Sequence, residues 1–171
     1  MTVTGSTAPS TARLSTAINA LRAAAGNADA DALADLLTSD VVFHSPLTSR
    51  IRFEGKDEVV ALHRDIFAVL DDLDTSEPLT LGDTGSFRFT GRVRGRKLEA
   101  MNLVRVNEDG LIAEFTVFAR PLPAVATLFA TLPPRVTARR RGRARGALVA
   151  VLARPLALAF RTADVFVPRL V

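Results

Sequence analysis

Few side chains in this chain could do acid–base or nucleophilic chemistry. None of the 171 residues is cysteine, tyrosine or tryptophan, and only His44 and His63 are histidine. A thiolate nucleophile, a disulfide framework and a phenolic acid are therefore excluded. Two histidines alone do not make a structural zinc site, so neither a metal nor a cofactor is expected. The remaining candidates are the His44-Ser45 pair before Pro46, His63, Asn102 and Glu114, with His63 and Glu114 as the candidate catalytic bases.

His63 falls on the apolar stripe of a predicted helix, Lys56 to Leu70, with Val59, Leu62, Ile66, Phe67 and Leu70. It serves there either as a pocket base or donor, its pKa pulled toward or below neutrality by burial, or as a satisfied core or rim histidine. By strand alternation Asn102 shares a face with Ala100, Val104 and Val106. A buried amide without partners costs about 1–3 kcal/mol, so Asn102 meets a ligand group, a water or a neighbour in the core. Glu114 stands in the strand LIAEFTVFA, either as an inward carboxylate or as a sheet-paired residue on the outer face. Phe43, Phe67, Phe87, Phe89, Phe115 and Phe118 supply core and cavity wall. The predicted ligand contacts are Phe43, Ser45, His63, Phe67, Asn102 and Phe118.

Periodicity supplies the elements that must position these residues. A helix is predicted over Thr11 to Ala25, stopped by Gly26-Asn27, and a short one from Asp29. A strand follows over Val41 to Pro46, a second over Ser49 to Phe53, then the Lys56 to Leu70 helix, ended by aspartates 71, 72 and 74. Strands are then predicted within Ser76 to Leu81 and over Ser86 to Arg94, Lys97 to Val106 and Leu111 to Ala119. Gly95-Arg96 and Glu108-Asp109-Gly110 mark turns. This order predicts an α+β fold with helices covering one face of a bent antiparallel sheet.

The junction TSDVVFHSP, the step FEGKDEVVALH and the ending NEDGLIAEFTVFARPLP resemble the NTF2-like superfamily, and within it the SnoaL-like and ketosteroid-isomerase-like small proteins. The resemblance spans residues 12–122. It implies a cone-shaped, curved sheet with covering helices, a homodimer, and a concave interior that holds a small apolar ligand. In the ketosteroid-isomerase-like members an Asp before Pro is the general base; that place is held here by Ser45. The oxyanion-stabilising acid falls at Asn102, and the tyrosine has no counterpart. A serine without an activating base does not abstract a proton from carbon, so that activity is not expected. The epoxide-hydrolase-like alternative requires inward aspartates and an arginine. The last two strands contain no Asp, and Arg105 faces away from Asn102 by parity.

Charge divides the chain. Residues 1–134 hold 13 Lys/Arg against 17 Asp/Glu, a net −4, and residues 135–171 hold 9 Arg against one Asp, a net +8. The organisation read from this is a disordered lead over 1–11, a domain over 12–122, and a Pro/Arg-rich linker with an apolar helical arm over 123–171, including a helical piece near Ala124 to Leu132. The run Gly146 to Phe160 is too short, and too interrupted by Arg154-Pro155, to span a bilayer. Three readings of the arm stay open. Arg139, Arg140, Arg141, Arg143 and Arg145 can approach an anionic membrane surface. The same arginines can neutralise phosphates, but no recognition motif accompanies them, so nucleic acid is disfavoured. Or Leu148, Val151, Leu152, Leu156, Ala159 and Phe160 pack on the protein's own dimer or sheet face. No secretory signal is visible, which predicts a cytoplasmic protein, peripheral to the membrane if the arm binds it. The expected function is binding of a small, mostly apolar molecule, with cofactor-independent isomerase, hydrolase or cyclase chemistry if there is turnover. The alternative is a non-catalytic interaction or membrane-surface module acting through the arm.

Overall fold

The computed structural model describes residues 8–166. Helix α1 (Ala8–Gly26) and a short 3-10 helix (Asp31–Leu36) lead into β1 (Leu37–His44), β2 (Phe53–Glu54) and α2 (Lys56–Phe67). Strands β3 (Asp71–Thr75), β4 (Leu79–Leu81), β5 (Thr84–Val93), β6 (Arg96–Val106) and β7 (Ile112–Arg120) follow. Helices α3 (Leu122–Phe129), α4 (Leu132–Arg141) and α5 (Arg143–Phe166) close the described chain. The strands form one open sheet in the order β2-β1-β7-β6-β5-β3, with β4 also on β5. Only β1 and β7 run parallel. Register shifts in the β1–β7, β3–β5 and β6–β7 pairings bend the sheet.

Alternation decides which face encloses the core. Along β6 the side chains of Leu98, Ala100, Asn102, Val104 and Val106 are buried, while Met101, Leu103 and Arg105 are exposed. The β5–β6 hairpin turns on Arg94 and Gly95, both at positive φ (48° and 77°), a two-residue connection whose twist matches that of the strands. On the buried face Leu14, Ile18 and Leu21 of α1, Leu33, and Val59 and Leu62 of α2 pack against Leu37, Val41, Val93, Val104 and Ile112 of the sheet. On the outer face Glu99 bridges Arg88 and Arg120.

Several expectations are corrected. Residues 8–11 of the supposed lead already belong to α1; the rest of that lead lies outside the described residues. The second strand shrinks to Phe53–Glu54, because Ser49 to Arg52 form an exposed loop. Aspartates 71, 72 and 74 do not end a helix: α2 stops at Phe67, and these residues build β3, an edge strand paired only with β5. The edge position leaves Asp71, Asp72 and Asp74 exposed, so a strand with three carboxylates incurs little desolvation. Of the Ser76 to Leu81 segment, only Leu79–Leu81 is strand.

The largest correction concerns residues 123–171. The expected boundary after 122 is not a boundary of the core, since Leu128, Leu132 and Val136 join the same buried cluster as α1, α2 and the sheet. The helical piece near Ala124 to Leu132 is two helices, interrupted at Ala130-Thr131. Helix α5 packs its small residues inward, with Ala153 and Ala157 buried. At Gly146 an added Cβ would lie 2.7 Å from the Pro134 carbonyl oxygen, so only glycine lets α5 approach α4 this closely. Leu148, Val151, Leu152 and Leu156 do not pack on the chain's own sheet: they face outward and are 45–69% exposed.

Candidate functional site

Helix α2 packs against β1, β2 and α4, and α3 packs against β5, β6, β7 and α4. Between them is a cavity of about 610 Å³, within the usual range of small-molecule sites. Its wall is mainly aromatic and aliphatic. Phe43 of β1 stacks on Phe115 of β7 with centroids 5.4 Å apart and meets Phe53 edge-on at 6.1 Å. The His63 ring sits among Phe43, Phe67 and Phe115 at 5.6, 5.9 and 5.5 Å. Leu128, Leu132 and Val136 complete the wall from the C-terminal helices.

Two buried polar side chains interrupt this surface, His63 and Asn102. His63 is buried, and its Nδ1 lies 2.8 Å from the Val59 carbonyl oxygen one turn earlier. A carbonyl only accepts, so Nδ1 carries the proton and Nε2 presents its lone pair to the cavity. Burial pushes the imidazole pKa down to about 4, against the smaller opposing effect of the Val59 hydrogen bond, so the ring is neutral at physiological pH. Asn102 of β6 is 5% exposed, and its Oδ1 is buried without a hydrogen-bond partner. Thr38 Oγ1 is the other such atom among the described residues, but Thr38 does not line the cavity.

Phe43, Ser45, His63, Phe67 and Asn102 all line this one cavity. Phe118 does not: it is 60% exposed on the outer face, where it pairs across from Met101, because the residue after Val117 must point away from the cone. Glu114 is also outside. It accepts from Arg105 at 2.6 Å and lies 3.0 Å from His44 Nε2, an outer-face cluster. The Arg105 hydrogen bond, with help from His44, outweighs burial and holds the Glu114 carboxyl below the usual range. Glu114 therefore has neither the position nor the basicity of a pocket base. The Ser45 hydroxyl accepts from the Leu47 amide at 3.1 Å, stabilising the turn after β1. No Asp or Glu among the described residues lines the cavity, which leaves His63 as its one titratable base.

Sequence reasoning missed the mouth. Arg50 and Arg52, in the loop expected to be a strand, line it together with Arg140 and Arg141 of α4. Arg139 and Arg140 form ion pairs within the chain. Arg139 pairs with Glu58 at 2.8 Å and Asp65 at 2.8 Å, and Arg140 pairs with Glu58 at 2.7 Å while lying over the Phe53 ring at 4.7 Å. Partial burial pushes the Glu58 carboxyl up, but Arg139 and Arg140 together reverse this and hold it low. The signal available in the sequence was the spacing Leu128, Leu132, Val136, an i, i+4, i+8 stripe that continues the core past the prolines.

A bent sheet wrapped around an apolar cavity and capped by helices defines an α+β protein of the NTF2-like superfamily. Within it, the chain belongs to the SnoaL-like domain family, whose pattern matches residues 18–115. Among solved structures it is similar to an uncharacterised bacterial protein with a cystatin-like fold from Silicibacter pomeroyi, at 25% identity and TM-score 0.69, covering 73% of this chain and 88% of that one. It is similar at the level of fold to a steroid delta-isomerase from Pseudomonas aeruginosa, at 24% identity and TM-score 0.69 over 75% and 95% of the two chains. An NTF2-like protein of unknown function from Mesorhizobium loti shares the fold at 20% identity and TM-score 0.59 over 65% and 93%. No curated protein sequence matches the chain.

Proposed function

We propose that this protein binds a small, largely apolar molecule in its cone, hydrogen-bonded by His63 and Asn102. The observation that carries this reading is the buried, unpartnered Oδ1 of Asn102 on the cavity wall. Such an atom costs about 1–3 kcal/mol unless something donates to it, and an apolar chamber leaves that to a bound molecule or a water. Binding is favoured over turnover because a base works best with a pKa near the operating pH, and that of His63 lies well below it. Any cofactor-independent isomerase, hydrolase or cyclase chemistry here would fall to His63 Nε2, without a carboxylate to assist. The test is native mass spectrometry of protein purified from its own host. Wild type should retain a ligand, and Asn102→Leu, which fills a similar volume without hydrogen bonds, should retain at least about tenfold less. Equal retention would remove Asn102 from the site.

A second reading rests on α5. Leu148, Val151, Leu152 and Leu158 are exposed, and Arg143, Arg145 and Arg154 are exposed on the same helix. No helix among the described residues is long and apolar enough to cross a membrane. An apolar face flanked by arginines is instead the pattern of a helix lying in an anionic lipid interface. Full-length protein should co-sediment with vesicles containing phosphatidylglycerol several times more than with pure phosphatidylcholine, and Val151→Asp/Leu152→Asp should abolish the difference. Indifference of the wild type to lipid charge would end this reading.

A further inference from the structure

The cavity is polarised along its depth. Inside, the polar groups available to a ligand are uncharged: neutral His63 with its Nε2 lone pair, and the amide of Asn102 with its unpartnered Oδ1. With no acidic side chain among the described residues lining the cavity, and no cation at its aromatic end, an anion buried there would be left without a counter-charge. The mouth has the opposite character. Four arginines line it, and their acidic neighbours do not balance them. Arg52 is paired with Glu54, and Arg140 with Glu58. Arg50 and Arg141 are exposed and have no acidic partner among the described residues. Counting the ion pairs next to the mouth as well, arginines 50, 52, 135, 139, 140 and 141 face only Glu54, Glu58 and Asp65, six cations against three carboxylates.

Resting on the reading of the cone as an apolar binding site, we infer that its ligand is an amphipathic acid. The largely apolar body enters among Phe43, Phe67 and Phe115, where a hydroxyl on it can pair with His63 or Asn102, and a single carboxylate stays at the mouth against Arg50 and Arg141. The arginine fork accepts a carboxylate through paired N–H donors, and neither residue must break an existing ion pair to do so. The apolar, uncharged interior and the cationic rim act together, so the ligand enters tail first. Arg50 sits on the loop after β1 and Arg141 at the last turn of α4, so the head group would also tie the C-terminal helices to the sheet.

The experiment uses full-length protein in isothermal titration with dodecanoate, dodecanol and dodecylammonium, at low salt and again at high salt. Two partly exposed arginines are together worth about tenfold, so dodecanoate should bind about tenfold tighter than dodecanol at low salt. That preference should shrink as salt screens the mouth. Arg50→Gln/Arg141→Gln, which touches no ion pair, should bring the ratio to about twofold or less without changing dodecanol binding. Equal affinities of dodecanoate and dodecanol in the wild type, tighter binding of dodecylammonium, or a preference that survives the double substitution would each overturn the inference while leaving apolar binding in place. Failure of all three probes to bind would overturn both.

Discussion

Replacing Asp65 by Ala is expected to lower the unfolding free energy by about 2–4 kcal/mol and to loosen α4 from α2. Asp65 is 5% exposed, and its two oxygens accept from Arg135 and Arg139 at 3.0 and 2.8 Å. Its removal takes away two charge-assisted bonds and leaves a small void under α4. The cost stays at the lower end of what a fully buried ion pair commands, because the arginine side chains are 51% and 30% exposed and Arg139 keeps Glu58. Glu58→Ala, in a more open setting, is expected to cost about 1 kcal/mol. The consequence for function follows from geometry. Leu132, Val136, Arg140 and Arg141 ride on α4, so a loosened α4 enlarges the cavity and exposes Phe53. Urea unfolding gives the stability, and amide exchange of α4 gives the local effect. An unchanged urea midpoint with undisturbed exchange in α4 would refute the assignment of Asp65 as the tie.

The same tie explains what could and could not be read from the residues alone. Strands β5 to β7 were legible because strict alternation, as in Phe87, Arg88 and Phe89, has one physical solution on a half-buried sheet. His63 was placed by the apolar stripe of α2, and Asn102 by parity with Val104, since both rules depend only on neighbours in sequence. Asp65 was invisible to such reasoning. On α2 it reads as an ordinary solvated helix residue, and only the return of Arg135 and Arg139, 70 and 74 positions later, buries it. The intrachain partners of the arginine run were hidden for the same reason. An unpaired cluster of cations suggests an external partner, whereas here two of its members find carboxylates within the chain. β3 was misread because carboxylates disfavour strands only where the strand is covered, and whether it lies at an edge is a property of the whole sheet.

Acid should destabilise the fold through His63 before it does so through Glu58, Glu99 or Glu114. Its imidazole titrates near 6.5 in the unfolded chain and near 4 in the folded one. As pH falls through 6.5 the unfolded chain takes up a proton that the folded chain refuses, so stability decreases with falling pH until about 4 and then levels for this group. At 1.36 kcal/mol per pH unit the full loss is roughly 3 kcal/mol, and most of it is complete by about pH 4.5. Glu58, Glu99 and Glu114 are held below their ordinary value of 4.5, so their stabilisation is present above that value and is lost only below it. The interval from 6.5 to 4.5 therefore belongs to His63 among the groups with displaced titration. His63→Phe keeps a ring against Phe43, Phe67 and Phe115 and leaves the Val59 carbonyl within its helix. It should flatten the dependence of unfolding free energy on pH across that interval, whereas the wild type should lose about 2 kcal/mol there. Unfolding at a series of pH values measures both, and a wild type whose stability is level from 6.5 to 4.5 would mean that the ring is solvated rather than enclosed. Protonation at Nε2, which the folded ring reaches only near pH 4, turns the one acceptor that α2 gives the cavity into a donor, so a ligand held as a donor to Nε2 should bind more weakly near that pH, below most of the interval in which the fold loses stability.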